Sequence, residues 1–464
     1  MPRTLPLDHA GPHLFNRGPG QVWQPFTQHE EWEADGPAVV IERAEGCWLI
    51  DTEGRRYLDG VASLWTNVHG HRHPHIDGAI RAQLDRVAHS TLLGLGGQAA
   101  NTLAERLVEQ TDRLLPWAGL SHVFYSDSGS TSVEVALKMA FQWQQQRGET
   151  GRIRFAALDQ AYHGDTIGSV SVGGIDLFHS IYRPMLFEAL RLPCPERAEP
   201  ADEARCLAQA EALLAQHGPS LAAIVVEPLV QGAAGMRMHS PEFLHRLLSL
   251  ARAQGALVIV DEVATGFGRT GRMFASQALG PLSLSALPEG GPDLLCLAKG
   301  LSGGYLPIAA TMAARHVFDG FRGPPGSTRT FFHGHTYTGN ALACAAAIAS
   351  LEVFERDRVI EGLPPKIEAL RQAMAALPDR FVAERRQHGL MAGVLLKHDR
   401  PPEARTAHRV CLAARGHGVI VRPLGDLVVL MPPLAMSPEQ LRTTVEAVGK
   451  GIEEVLGAPA ASVV

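Results

Sequence analysis

Between about residues 120 and 310, short apolar runs alternate with stretches of helical pattern, and this alternation restricts the fold more than any other feature. The runs fall at 122–125 (HVFY), 153–158 (IRFAAL), 222–226 (AAIVV), 257–260 (LVIV) and 294–298 (LLCLA), with helical patterns between them that include 132–147 and 241–254. A strand with apolar residues on both sides must be covered on both faces. Strands of that kind alternating with helices predict an α/β fold with a doubly wound, mostly parallel sheet.

The flanks read differently. Residues 1–35 are irregular and rich in Pro, Gly and Trp. Residues 38–60 alternate apolar and polar positions around the turn Asp51-Thr52-Glu53-Gly54, which predicts antiparallel strands. Residues 76–112 read as helical. After about residue 340, a helix of small residues (ALACAAAIASLEVF) is followed by a helix and strands near 380–431. This predicts a smaller α+β lobe that packs with the N-terminal strands. The expected division is 1–75 for the N-terminal part of the small domain, 76–335 for the large domain and 336–464 for the C-terminal part, with a frayed tail at 457–464.

A chain of 464 residues that is 45% hydrophobic can bury a sizeable core. Its net charge of -6, without a basic stripe, speaks against nucleic acid. No run of about 18 apolar residues suggests a membrane span. The start, MPRTLPLDHAGPHLF, lacks the apolar core of a signal peptide. Six cysteines at 47, 194, 206, 296, 344 and 411 form no CxxC pair and read as free thiols, so a cytoplasmic location is expected.

Ligands of open α/β sheets bind at the carboxyl ends of the strands, and the informative residues fall there. Asp261 ends the run LVIVD ahead of Gly-rich sequence. It either caps the next turn or aims a carboxylate at a ligand. Lys299 follows LLCLA and precedes several glycines. A partly desolvated lysine has a lowered pKa and favours Schiff-base chemistry, whereas a structural lysine would only cover the strand end. Only five lysines occur, at 138, 299, 366, 397 and 450, and Lys299 alone joins an apolar approach to flexible glycines. In YSDSGSTSVEVALKMA, a strand end followed by Ser128-Gly129-Ser130 opens a helix. Free amides there could cradle a phosphate, or a serine could serve as an ordinary cap. Tyr162, in AYHGDTIGS, could stack on a flat cofactor or simply pack. HGHRHPH at 69–75 admits a metal reading, but Pro74 interrupts it and no Cys or carboxylate accompanies it, so no metal is expected. HGHTYTG at 333–339 reads as a backbone-shaping loop.

Taken together, SDSGS, YHGDT, VEPLVQGAAGM, VDEVATGFGRTG and LAKGLSGGYLP, in this order between residues 126 and 307, resemble the class III, fold-type I aminotransferases. The resemblance implies pyridoxal 5'-phosphate (PLP) as cofactor and a homodimer with its active site at the subunit interface. Lys299 would carry PLP as a Schiff base and shuttle the proton, Asp261 would bind the pyridinium nitrogen, and Tyr162 would stack on the ring and line the substrate pocket. Gly129 and Ser130 would hold the phosphate, with Thr336 reaching it from the neighbouring subunit. Gly334 and His335 would lie at the subunit boundary, and Glu227 near the cofactor. Arg422 would pair with a substrate carboxylate.

More narrowly, WQPFTQ, DGVASLWTNVHGH, YHGDTIGSVSVG, HGHTYTGN and VRPLGDLVVLMPPL resemble the branch of that family that aminates 8-amino-7-oxononanoate in biotin synthesis. Members using S-adenosylmethionine as donor commonly read Tyr where this chain has Phe26, and two tryptophans where it has Leu64-Trp65. Both S-adenosylmethionine and lysine therefore stand as donors. The rivals are a class III aminotransferase for ornithine, 4-aminobutyrate or a diamine, a non-catalytic PLP-binding protein, and a nucleotide-binding oxidoreductase. The last lacks its GxGxxG after the first strand of the sheet.

Overall fold

The computed structural model describes residues 21–36, 38–282 and 290–457. The readings made for residues 1–20 and for the tail beyond 457 lie outside that range. The alternating stretch folds into an antiparallel meander of β1 (Ile41–Glu45), β2 (Trp48–Asp51) and β3 (Arg56–Asp59). Asp51 shapes its second turn, since Oδ1 accepts the amides of Glu53 and Arg55 at 3.0 and 2.8 Å. Before the meander, the segment read as irregular contains one short helix, His29–Ala34, capped by the Gln28 side chain.

The stretch 76–112 is two helices, α1 (Pro74–Leu84) and α2 (Gln98–Leu114), and not one. Gly94, Gly96 and Gly97 break it, and Gly94 takes a φ of +75 that a helix does not allow. The large sheet follows. Its elements are β4 (Leu120–Ser126), α3 (Gly129–Gln146), β5 (Arg154–Leu158), β6 (Leu190–Leu192), α4 (Pro200–His217), β7 (Leu221–Val226), α5 (Pro241–Ala253), β8 (Leu257–Asp261), β9 (Leu294–Leu297) and β10 (Ala309–Ala314). In space the strands run β4-β10-β9-β8-β7-β5-β6. The pairs β6–β5, β5–β7, β7–β8 and β8–β9 are parallel, while β10 runs antiparallel to both β9 and β4. Every residue of β7, β8, β9 and β10 is buried, as the unbroken apolar runs require.

Register places the chemistry. Val260 stands level with both Val226 and Leu295, and Asp261 with Cys296. The carboxyl ends of three neighbouring strands therefore deliver Glu227, Asp261 and Lys299 to one edge of the sheet.

Beyond it lie α6 (Ala341–Arg356), α7 (Pro364–Ala375), β11 (Val382–His388), β12 (Met391–Leu396), α8 (Thr406–Gly416), β13 (Val419–Ile420), β14 (Arg422–Leu424), β15 (Leu427–Leu430) and α9 (Pro438–Leu456). The strands β11-β12-β15-β14 form an antiparallel sheet. β13 instead adds in parallel to β3, with Val419 opposite Leu58, so the C-terminal segment completes the N-terminal sheet. The small residues of α6 let it approach α1 and α2 closely. Among the described residues, no helix is long and apolar enough to cross a membrane.

Candidate active site

A cavity of about 690 Å³ opens at the carboxyl edge of the large sheet, with Lys299, Asp261, Glu227, Tyr162, Gly129 and Trp65 among its walls. Lys299 stands three residues past the register point of Asp261, in a tight turn after β9, with a φ of +45. Left-handed backbone at a non-glycine residue costs about 1–2 kcal/mol and tends to persist where a site needs it. Nζ makes no hydrogen bond or ion pair among the described residues and lies 4.9 Å from the centre of the Trp65 ring. Burial pushes the amine's pKa below the usual lysine value, and the Asp261 and Glu227 carboxylates pull it partly back. The other reading, a lysine covering a strand end with its head in water, does not describe an amine turned into a cavity.

Asp261 caps its turn, as the first of its two readings expects, and also lines the cavity. Its Oδ1 accepts the Val263 amide at 3.0 Å and so caps the turn. Its Oδ2 lies 2.8 Å from Nδ1 of His163, and both residues are buried. Nε2 of His163 is buried without a partner among the described residues.

At the start of α3, Ser128 is the cap: its Oγ accepts the Thr131 amide at 3.3 Å, and its own amide donates to Thr131 Oγ1 at 3.0 Å. That leaves the amides of Gly129 and Ser130 without a partner among the described residues, at the positive end of an 18-residue helix, the arrangement that binds anions. Gly129 is glycine for a steric reason, since a Cβ there would come within 2.6 Å of Val263. Ser130 Oγ accepts the amide of Asp165 at 2.7 Å, which locks the loop bearing Tyr162 onto the helix start.

Glu227 is buried, and burial pushes its carboxyl up to about 7. Trp65 sits on a left-handed turn in which Ala62, Ser63, Leu64 and Trp65 all have φ between +48 and +71. Two groups hold that turn. Asp59 accepts the amide and hydroxyl of Ser63 at 2.9 and 2.7 Å. The fully buried Arg269 donates to the carbonyls of Trp65, Asn67 and Pro432. No carboxylate bonds to it among the described residues, and burial, opposed in part by the Asp59 charge, lowers the Arg269 pKa to about 9.

The family model for class-III aminotransferases matches residues 30–452. The chain is a class-III aminotransferase. It is 54% identical over 443 residues to an adenosylmethionine-8-amino-7-oxononanoate aminotransferase of Nitratidesulfovibrio vulgaris, covering 92% of this chain and 79% of that one. A relative of the same description from Geobacter sulfurreducens is 47% identical, over 94% of this chain and 96% of its own. Among solved structures, the adenosylmethionine-8-amino-7-oxononanoate aminotransferase of Methanocaldococcus jannaschii superposes with a TM-score of 0.86 at 36% identity, covering 94% of this chain and 97% of that one. A PLP-bound amine transaminase from an uncultivated Pseudomonas species superposes with a TM-score of 0.85 at 33% identity, covering 94% and 99%.

Other residues of this class-III aminotransferase singled out from sequence lie outside the cavity of the single chain. Phe26 is exposed and meets Phe178, at 5.5 Å between ring centres; Phe178 in turn lies 6.3 Å from Tyr162. Leu64 is 48% exposed on the left-handed turn. Gly334 and Thr336 are exposed and His335 half-buried, and the Thr336 carbonyl accepts from His89 at 2.8 Å. Arg422 is exposed on β14 with no ion pair or hydrogen bond among the described residues. Asp426, four residues further on, lies 3.2 Å from His398. The four histidines of 69–75 go to separate partners: Ser350, Asp59, Asp357 and Glu352. Sequence reasoning passed over His163 and Arg269. A histidine directly after Tyr162 in the same loop was a usable signal for the first. Nothing local signals the second, whose three acceptors are carbonyls distant in sequence.

Proposed function

We propose that this aminotransferase transfers an amino group to the ketone of 8-amino-7-oxononanoate, giving 7,8-diaminononanoate for biotin synthesis, with S-adenosylmethionine as donor. One observation carries the chemistry: a largely buried lysine amine, with no hydrogen bond or ion pair among the described residues, shares a cavity with the hydrogen-bonded pair Asp261–His163. The substrate follows the relatives from Nitratidesulfovibrio and Geobacter, named for that reaction and matched over more than nine-tenths of this chain.

The cofactor is PLP, and the residues present fit it. The free amides of Gly129 and Ser130 would hold its phosphate. Asp261, fixed by His163 and the Val263 amide, would hold the proton on its ring nitrogen, and Lys299 would carry it. Bound there, PLP supplies the electron sink for the electrons left when a proton leaves the amine-bearing carbon. Lys299 Nζ takes that proton, and its desolvated position keeps more of the amine in the basic form. Tyr162 and Trp65 wall the cavity, confine the substrates and exclude water.

We read the enzyme as a cytoplasmic homodimer in which Gly334, His335 and Thr336 serve the neighbouring cavity. In support, Leu93, Phe332 and Tyr337, in or near the loops that carry these residues, are 90%, 82% and 61% exposed in the single chain. The test is to supply the holoenzyme with 8-amino-7-oxononanoate and either S-adenosylmethionine or lysine, and to measure 7,8-diaminononanoate. Product with S-adenosylmethionine is expected. Product with lysine alone would overturn the donor, and product with neither would overturn the acceptor.

Arg422 is proposed to meet the acceptor carboxylate. Apolar residues stand on both sides of it, VIV at 419–421 and LVVL at 427–430, and a buried, unpaired guanidinium there would be costly. β14 instead leaves it solvated, Asp426 turns to His398, and the charge has no partner among the described residues. Losing a charge-assisted bond of about 1.5–3 kcal/mol should raise the acceptor KM about 10- to 100-fold in Arg422→Ala. The donor half-reaction should change little. Equal damage to both half-reactions, or a fall in Tm with unchanged KM, would show a structural role.

A further inference from the structure

We infer that Glu227 is a positioning residue that sets the separation of the two aromatic walls of the cavity, Tyr162 and Trp65. The inference rests on the reading that these walls receive the substrates. Glu227 follows β7 directly and is 4% exposed. Each of its carboxylate oxygens takes one backbone amide. Oε1 accepts from Tyr162 at 3.1 Å, which fixes the root of the first wall. Oε2 accepts from Gly232 at 3.0 Å. Gly232 lies against the indole of Trp65, so close that a Cβ would stand 3.2 Å from Cζ3. One rigid carboxylate thus ties the backbone beneath Tyr162 to the backbone behind Trp65.

The choice of a carboxylate follows from this geometry. No lysine, arginine or histidine hydrogen-bonds to Glu227 among the described residues; His163 and Lys299 act on it only through space. An unpaired acid is costly to bury, and the raised pKa reflects that cost. A glutamine would be cheaper to bury, but its amide offers one acceptor oxygen and turns an NH2 towards the second amide. A carboxylate takes both amides. Lys299 and Asp261 share the cavity, so a displacement of either wall shifts the substrate against the reacting atoms.

The test uses the holoenzyme with Glu227→Gln and with Gly232→Ala, which presses on Trp65 without altering the carboxylate. Both are expected to raise the acceptor KM about tenfold, with kcat within about threefold and cofactor content unchanged, and Gly232→Ala should leave the cofactor absorbance unchanged as well. Glu227→Asp keeps both acceptor oxygens but holds them a methylene short of the two amides and should not rescue. If Glu227→Gln lowers Tm but leaves KM unchanged, the role is structural and the inference falls. If Glu227→Gln does not fold, Glu227→Asp is read in its place by the same criterion. Trp65→Ala separates the two claims. A raised KM in Trp65→Ala with none in the Glu227 and Gly232 variants overturns only the inference. An unchanged KM in Trp65→Ala overturns the reading of the walls themselves.

Discussion

Replacing Lys299 with alanine is expected to lower turnover about 10⁴-fold or more, with the fold retained. The variant loses two functions at once: the amine that carries the cofactor and the base that moves the proton. Proton transfer by a placed side chain alone contributes about 10²–10⁴-fold, and loss of the covalent attachment adds to that. No other lysine can substitute. Lys138 is spoken for by the Phe332 carbonyl and His333 Nδ1, at 3.4 and 3.0 Å, and Lys366 by the Leu434 carbonyl. Lys397 and Lys450 do not line the cavity. Because the Lys299 amine has no hydrogen bond or ion pair among the described residues, its removal should leave the Tm of the apoprotein level or slightly raised. Formation of 7,8-diaminononanoate measures the effect, and turnover within tenfold of wild type would remove Lys299 from its role.

Asp261→Asn is the second large effect, a loss of about 10²-fold or more, in scale with about 3 kcal/mol of transition-state stabilisation. Asparagine keeps the size of the side chain and can still accept the Val263 amide, so the turn should survive. What it loses is the negative charge that would hold a proton on the ring nitrogen. The carboxylate contact to His163 Nδ1 at 2.8 Å is lost with it. Single-turnover rates with donor alone isolate the proton-removal step. A normal rate in that half-reaction would mean that Asp261 only caps its turn.

The sequence showed the large sheet wherever large apolar residues ran together, because β7, β8 and β9 are buried on both faces. It did not show β10, whose sequence AATMAA owes its place to the neighbours β4 and β9 and not to any side-chain pattern of its own. Likewise, the helical pattern over 76–112 hid a break that only the glycines at 94, 96 and 97 could have revealed. At the site, Lys299, Asp261 and the helix start at Gly129 were legible because each ends or follows an apolar run. The left-handed turn at 62–65 was not, since ASLW has no glycine and its conformation is imposed by Asp59 and Arg269 from outside. Nor could a sequence show that Phe26, Leu64, Thr336 and Arg422 stand outside the cavity of their own chain. That depends on distances and, in the proposed dimer, on a second copy.

Reduction of the holoenzyme with sodium borohydride, followed by peptide mapping, tests the central assignment most directly, because it locks the cofactor onto whichever amine carries it. The pyridoxyl mass is expected on the peptide containing Lys299 and on no other. A label on Lys138, Lys366, Lys397 or Lys450, or a fully loaded enzyme that takes no label, would contradict the assignment of this cavity as the active site.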